Sequence, residues 1–319
     1  MRSGKSNDPP ATFHLPPKIN MTDSSPITIR PLETLTEFHA AEDLQRAVWP
    51  GADIEVTPAH VLTTAAHNGG LVLGAFDGER LAGFVFGFLG TDESSSTRPA
   101  LARLKHCSHQ LGVLPEYRDH GVGYQLKLAQ RDFVTRQGIR LTTWTYDPLE
   151  ARNARLNIAR LGAVCRTYLR DVYGPMPDAL NAGLPSDRLQ VDWWVTSSRV
   201  KERLSGRRAA LDLDSFTSAG CEILNPPTLA PARLPRPPDH FAKFAGMIAL
   251  VEIPADFQTI KARDMALALA WRQHTRELFE AAFQSGYLVT DFFREPMGDR
   301  LRAFYAISQG DAKFEYSDN

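Results

Sequence analysis

The residues that could do chemistry are concentrated in one stretch of the 319-residue chain, Gln110-Leu111-Gly112-Val113-Leu114-Pro115-Glu116-Tyr117-Arg118-Asp119-His120-Gly121-Val122-Gly123. A β-type run ends at Val113 and a helical period begins at Gly121, with Arg-x-x-Gly-x-Gly bridging them. Gly121 and Gly123 let successive backbone N–H groups aim at one point with no Cβ in the way, and the start of a helix adds a dipole that favours an anion. Such a nest suits a pyrophosphate; the plainer alternative is a tight turn that merely needs small residues. It is not a P-loop, because no Gly-Lys-Ser/Thr follows. It is a poor dinucleotide fingerprint as well, since the third glycine position is Leu126 and the turn follows hairpin strands instead of opening a βαβ unit.

The elements that must position this turn follow from periodicity. Ile27 to Pro31 alternates as a strand and Pro31 stops it. Leu35 to Trp49 carries Leu35, Phe38, Ala41, Leu44 and Val48 on one helical face. A short helix starts near Thr57-Pro58. Leu71 to Phe76 and Leu81 to Leu89 form a hairpin about Asp77-Gly78. A strand over Arg103–Val113 leads into the turn, a helix runs from Gly121 to Gln137, and Leu141 to Tyr146 is a strand. A helix from Asp147-Pro148 toward Gly162 and strands near Tyr168 and Val191–Val195 complete β-α-α-β-β-β-α-β-α-β-β. That order describes an α/β domain with a mixed sheet. Beyond a proline-rich stretch, Met247–Ile253, Asp264–Gln284, Tyr287–Phe293 and Leu301–Ile307 read as a small β-α-β-β unit that docks on the first domain.

Composition excludes several classes. Lys and Arg number 36 against 37 Asp and Glu, so no global basic field recruits nucleic acid or an anionic membrane. Cys107, Cys165 and Cys221 lack any CxxC spacing, which excludes a disulfide framework or zinc knuckle and points to a reducing compartment. No apolar run is long enough to span a bilayer. Met1 to Ser25 lacks an apolar h-region and reads as a disordered leader, with Met21 a second candidate start. His60 and His67 lack a metal-ligand spacing, and the tryptophans Trp49, Trp144, Trp193 and Trp194 read as packing.

With these residues in view, the Arg118-x-x-Gly121-x-Gly123 turn and the Val113–Tyr117 segment before it resemble the acyl-CoA signature of the GNAT superfamily of N-acetyltransferases. The element order from Ile27 to Val195 is similar to that fold. A subgroup of predicted acetyltransferases with a C-terminal extension is similar in Asp147-Pro148-Leu149-Glu150-Ala151-Arg152-Asn153-Ala154, in Leu161-Gly162-Ala163, in Trp193-Trp194, in Glu252-Ile253-Pro254 and in Ala270-Trp271-Arg272. The resemblance implies a mixed, mostly antiparallel sheet flanked by helices, and acetyl-CoA or another short acyl-CoA as co-substrate, with no metal. It implies that main-chain groups of Leu111, Gly112 and Val113 pair with the pantetheine arm. The pyrophosphate would lie on Arg118, Asp119, His120, Gly121, Val122 and Gly123, with Asn153 helping to hold the cofactor.

The implied chemistry is direct attack of a primary amine on the thioester, with a base for the amine proton and an acid for the leaving thiolate. The Val113 N–H would polarise the carbonyl. Cys107 and His109 share strand parity with Leu111 and Val113, whereas His106 and Ser108 share the other, and a bulge would exchange these faces. His109 is the preferred base, since imidazole titrates near neutrality; a histidine satisfied beside the core is the alternative. Where the family often places an acidic tyrosine this chain has Ile158, so Tyr168, Tyr173 or water would protonate the thiolate.

The expected organisation is a leader over 1–25, an acetyltransferase-like domain over 26–200, a proline-rich linker over 201–240 and the small unit over 241–319. The acceptor would be a small-molecule or peptide amine, without nucleic acid or membrane partners, in the cytoplasm, and a homodimer is compatible with the chain. The unit has three open roles: closing over the acceptor, extending the sheet or building a dimer interface. The rival reading is a non-catalytic acyl-CoA-binding sensor on the same fold.

Overall fold

The computed structural model describes residues 26–310 apart from 52, 93–96, 98, 177–181, 208–210, 230–233 and 299. The expected leader therefore lies outside the described residues.

The elements before residue 196 follow the order expected from the sequence: β1 (Thr28–Pro31), α1 (Leu35–Val48), α2 (Ala59–His67), β2 (Leu71–Asp77), β3 (Arg80–Thr91), β4 (Leu104–Val113), α3 (Val122–Arg136), β5 (Leu141–Tyr146), α4 (Ala151–Ala154), β6 (Val164–Leu169) and β7 (Arg188–Trp194). Local chemistry sets the boundaries. Thr34 and Glu37 form a reciprocal capping box at the start of α1, satisfying two otherwise free N–H groups. The helix expected up to Gly162 is α4 followed by a π-helical turn over Arg155–Arg160. Gly162 then ends it at φ +73°, a conformation natural to glycine.

After β7 come α5 (Ser198–Leu204), α6 (Leu213–Ser218), β8 (Glu222–Ile223), β9 (Thr228–Leu229), β10 (Pro235–Arg236), β11 (Ile248–Ile253), α7 (Phe257–Arg263), α8 (Met265–Gln284), β12 (Tyr287–Met297) and β13 (Arg300–Gln309). The sequence reading missed α6 and α7, both single short helices with Asp at the cap. A period needs more than two turns to be visible. The proline-rich stretch holds the small β9–β10 pair.

Eleven strands form one sheet in the order β1-β2-β3-β4-β5-β7-β6-β12-β13-β11-β8. All neighbours are antiparallel except β4–β5 and β11–β8. The C-terminal strands therefore extend the sheet past β6, through the Val289–Cys165 pairing. Helices cover both faces. Phe38, Leu44 and Leu62 of α1 and α2 pack on Val72, Phe84 and Phe86. On the opposite face Val122 and Leu126 of α3 pack on Leu73, Ala75 and Val85. Strands β2 and β3 are thus apolar at nearly every position because both faces are buried. A second and larger core joins Ile158, Leu189, Val191 and Trp193 to Trp271, Phe279 and Tyr305.

Candidate functional site

The only register shared by the parallel strands β4 and β5 is His106–Thr142 and Cys107–Thr143. Beyond it they diverge, and among the described residues no strand fills the gap. Leu114 N–H donates to Ala82 C=O at 2.9 Å, so the alternation of an antiparallel ladder turns Gly112 toward β3 and the main-chain groups of Leu111 and Val113 toward the gap. Arg118 Nε takes the Val113 carbonyl at 3.1 Å. The Leu111 N–H and C=O and the Val113 N–H therefore form the polar edge of a cleft.

The cleft runs into the turn that precedes α3. Tyr117 is buried and its hydroxyl donates to Asp77 Oδ2 at 2.8 Å, which ties the turn to the β2–β3 hairpin. Asp119 and Gly121 have φ of +66° and +82°. No side chain caps α3, so its first N–H groups are available to an anion. A Cβ built on Gly121 would meet nothing within 4 Å, and one on Gly123 would make only ordinary contacts with Leu111 and Val113 at 3.5 and 3.8 Å. Packing therefore does not require glycine at 123, whereas a ligand lying against this backbone would. On those grounds the residues fit the phosphates and pantetheine of an acyl-CoA. Gly112 is different: its Cβ would sit 3.0 Å from Leu44 and 3.1 Å from Phe84, so it lets α1 approach the sheet.

The parity expected along β4 is corrected by a bulge. Phe86 pairs with Gln110 and Gly87 with Ser108, leaving His109 as the extra residue. The bulge places His106 and Ser108 against α3 with Leu111 and Val113, and turns His109 and Gln110 to the α1 face. His109 is open to solvent on one side, with Phe86 and Phe88 at 5.7 and 5.9 Å between ring centroids. Desolvation by these neighbours lowers its pKa from the usual value of 6.5, leaving a neutral imidazole at pH 7. Gln110 Nε2 donates to Gln45 on α1 at 3.2 Å.

The two candidate acids are placed apart. Tyr173 is exposed, and its hydroxyl lies 2.9 Å from Thr145 Oγ1, on the β5 wall beyond the last β4–β5 pair. Tyr168 packs on Phe279 and donates to the buried Asp187 at 2.9 Å. Burial and Asp187 push its pKa well above the usual range, and Arg276 binds the same carboxylate through both oxygens at 2.8 Å. Ile158 is fully buried. Asn153 is exposed on α4, beside Arg152, whose guanidinium reaches Asp119 at 2.6 Å across the mouth of the cleft.

Sequence reasoning missed a buried polar cluster under the point of divergence. Lys127 Nζ donates to Ser108 Oγ at 2.8 Å and Gln130 Oε1 at 3.0 Å, and lies 3.5 Å from the Trp144 ring centroid. Gln130 Nε2 meets His106 Nε2 at 3.1 Å, while His106 Nδ1 has no partner. Burial, then the charge of Lys127, takes the His106 pKa down to about 4. The helical spacing of Lys127, Gln130 and Val134 with Leu126 was the available signal. It was outweighed by the general preference of lysine for solvent. Glu150 was also missed: burial and Asp147 raise its pKa, and Gln258 donates to it at 2.6 Å.

Among the described residues no group of three or more His, Cys, Asp or Glu side chains is placed to hold a metal ion, and no helix is long and apolar enough to cross a membrane. A cavity of about 610 Å³ lined by Phe241, Phe244, Met247 and Tyr287 belongs to the C-terminal elements and not to the cleft.

No protein-family model matches the chain, and no curated protein matches it. Among solved structures it is similar to a chain of the NatC complex bound to Gag peptide and CoA, at 14% identity and TM-score 0.42, over 53% of this chain and 99% of that one. It is similar to Arabidopsis thaliana NAA60 in complex with acetyl-CoA, at 16% identity and TM-score 0.42, over 53% and 99%. It is also similar to the ribosomal-protein-S18-alanine N-acetyltransferase of Escherichia coli, at 16% identity and TM-score 0.41, over 54% and 96%.

Proposed function

We propose that the chain is an acyl-CoA-dependent N-acyltransferase of the GNAT type, moving an acetyl or short acyl group to a primary amine. The observation that carries this reading is the continuity of the cleft. The free main-chain edge of Leu111 and Val113 leads directly to the uncapped start of α3, offering amide partners for an extended arm and an anion site at its end.

Bound acyl-CoA supplies an activated thioester for the amine to attack. The Leu111 N–H, the cleft-edge donor next to the bulge that carries His109, donates toward the developing oxyanion. His109, neutral at pH 7 and at the bulge, accepts the amine proton. Tyr173 is favoured over Tyr168 as the donor to the leaving thiolate, because the Tyr168 hydroxyl is committed to Asp187. Water is an adequate substitute, a thiol near pKa 8.5 being a tolerable leaving group.

The test is thermal unfolding with acetyl-CoA, using NAD and ATP as controls. Ligand at 100 times its Kd adds about 2.7 kcal/mol, roughly 5–10 °C for a chain of this size. A shift with acetyl-CoA alone supports the cofactor; no shift at saturation overturns the reading. The sensor alternative draws on Ile158, which leaves the family's tyrosine position filled by a core side chain. It predicts the same thermal shift with no turnover on any amine.

A further inference from the structure

Both arms of the connection between β6 and β7 are tied to helix α8. Arg276 and Glu280 stand one turn apart on α8 and so share a face. Arg276 binds the fully buried Asp187 carboxylate through two guanidinium nitrogens, each at 2.8 Å, and Glu280 takes two hydrogen bonds from Arg170. Asp187 Oδ1 also accepts the Asp171 N–H at 3.0 Å. Asp171 in turn accepts the Ser186 N–H at 3.0 Å and the Ser186 hydroxyl at 3.1 Å. Ser186 Oγ accepts the Tyr173 N–H at 3.0 Å, and the Tyr173 hydroxyl lies 2.9 Å from Thr145 Oγ1. These bonds hold a strained backbone: Asp171 has a φ of +42°, which costs a non-glycine residue energy unless its surroundings impose it. Thr143 is the register partner of Cys107, so alternation puts Thr145 on the α1 face of β5, the side that carries His109.

Resting on the acyltransferase reading above, we infer that Arg276, Asp187 and Ser186 are positioning residues for Tyr173, acting through the Asp171–Tyr173 backbone to aim its phenol at the leaving thiolate. The proton passes from the Tyr173 hydroxyl to the sulfur as the C–S bond breaks, and the phenolate recovers a proton from water. A proton donor is efficient only when held within hydrogen-bond reach of its acceptor. The Tyr173 ring is exposed, so packing alone does not fix it; the tie of its N–H to Ser186 and of its hydroxyl to Thr145 does. The strained residue lies two positions before the tyrosine, on the same set of bonds, which is where strain serves a site and not a mere connection. Helix α8 belongs to the C-terminal elements. The extension of the sheet thus contributes to the transfer step through this loop, with no residue of its own at the reacting atoms.

The experiment is steady-state kinetics of the full chain with acetyl-CoA and the best acceptor among an aliphatic diamine, a lysine-bearing peptide and a peptide with a free N-terminus. It compares the wild type with Tyr173→Phe, Arg276→Gln, Ser186→Ala and the two double variants built on Tyr173→Phe. Tyr173→Phe should lower kcat about tenfold or more. Arg276→Gln and Ser186→Ala should each lower kcat roughly fivefold or more, with the KM for acetyl-CoA changed by less than about twofold. On the Tyr173→Phe background either substitution should cost less than about twofold further, a coupling that a merely structural tie does not produce. Arg276→Gln strands a buried carboxylate and lowers Tm, whereas Ser186→Ala removes only a hydroxyl and reports on the loop even where the first variant fails to fold. An unchanged kcat in Ser186→Ala or in Tyr173→Phe, or losses that multiply in the double variants, overturns the inference and leaves the acyltransferase reading standing. Absence of turnover with every amine overturns the two together.

Discussion

Lys127 Nζ lies 3.5 Å from the centroid of the Trp144 ring, clamping α3 to β5 just where β5 parts from β4. Its hydrogen bonds go to a hydroxyl and an amide, Ser108 and Gln130, so burial of the ammonium is not offset by a carboxylate. Desolvation accordingly lowers its pKa well below 10.5. Between the folded pKa and that of the unfolded chain, the unfolded state binds more protons, so stability rises with pH across that window. Against Lys127→Met, the wild type should therefore gain stability from pH 7 to pH 10 in urea unfolding. Parallel curves for the two proteins would show that the ammonium is not desolvated.

His109 should behave as a base, not as packing. Desolvation lowers its pKa from 6.5, so the acid limb that His109 contributes to kcat/KM on an accepted amine should have its midpoint below pH 6.5. His109→Ala should reduce kcat by about 10²–10⁴-fold, the usual worth of a positioned base. The acetyl-CoA thermal shift should survive, since the ring lies on the α1 face and the Arg118–Gly123 turn lies at the start of α3. An unchanged kcat would remove His109 from the mechanism.

Much of this site is legible in the sequence, for local reasons. The Arg118–Gly123 turn, the strand before it and the helix after it are contiguous, and periodicity and glycine chemistry suffice to read them. The face of His109 was not legible, because a bulge is a property of two paired strands: only the Phe86–Gln110 and Gly87–Ser108 pairings reveal it. The extension of the sheet was not legible for a related reason, since it depends on the long-range pairing of Val289 with Cys165. The lone tyrosine candidates could be separated only by their partners, Asp187 for Tyr168 and Thr145 for Tyr173.

Gly123 is the position at which the proposed ligand binding can be tested apart from folding. A Cβ there makes contacts no closer than 3.5 Å, and the residue is helical, so Gly123→Ala should leave stability unchanged or raise it by up to about 1 kcal/mol through helix propensity. The same Cβ would stand between the backbone and a phosphate. Calorimetry should therefore show at least tenfold weaker acetyl-CoA binding with a ligand-free Tm equal to or above the wild type. Unchanged affinity would mean that no anion approaches this backbone.

The C-terminal elements are joined to the cleft wall by an ion pair at the end of β5. Arg272 of α8 is almost fully buried and binds Asp147 through both guanidinium nitrogens, one bond being Nη1–Oδ1 at 2.9 Å. Tyr305 of β13 donates to the neighbouring Pro148 carbonyl at 2.8 Å. Arg272→Met leaves the Asp147 carboxylate with only Arg188, at 3.9 Å, and the Leu149 N–H as partners, so it should destabilise the protein by up to roughly 3–5 kcal/mol. Removing both, with Asp147→Asn and Arg272→Met, should restore much of the loss, because the desolvation cost of the pair disappears with the pair. Urea unfolding of the two single variants and the double variant measures the coupling directly. Additive losses would show that Asp147 and Arg272 do not act as a pair.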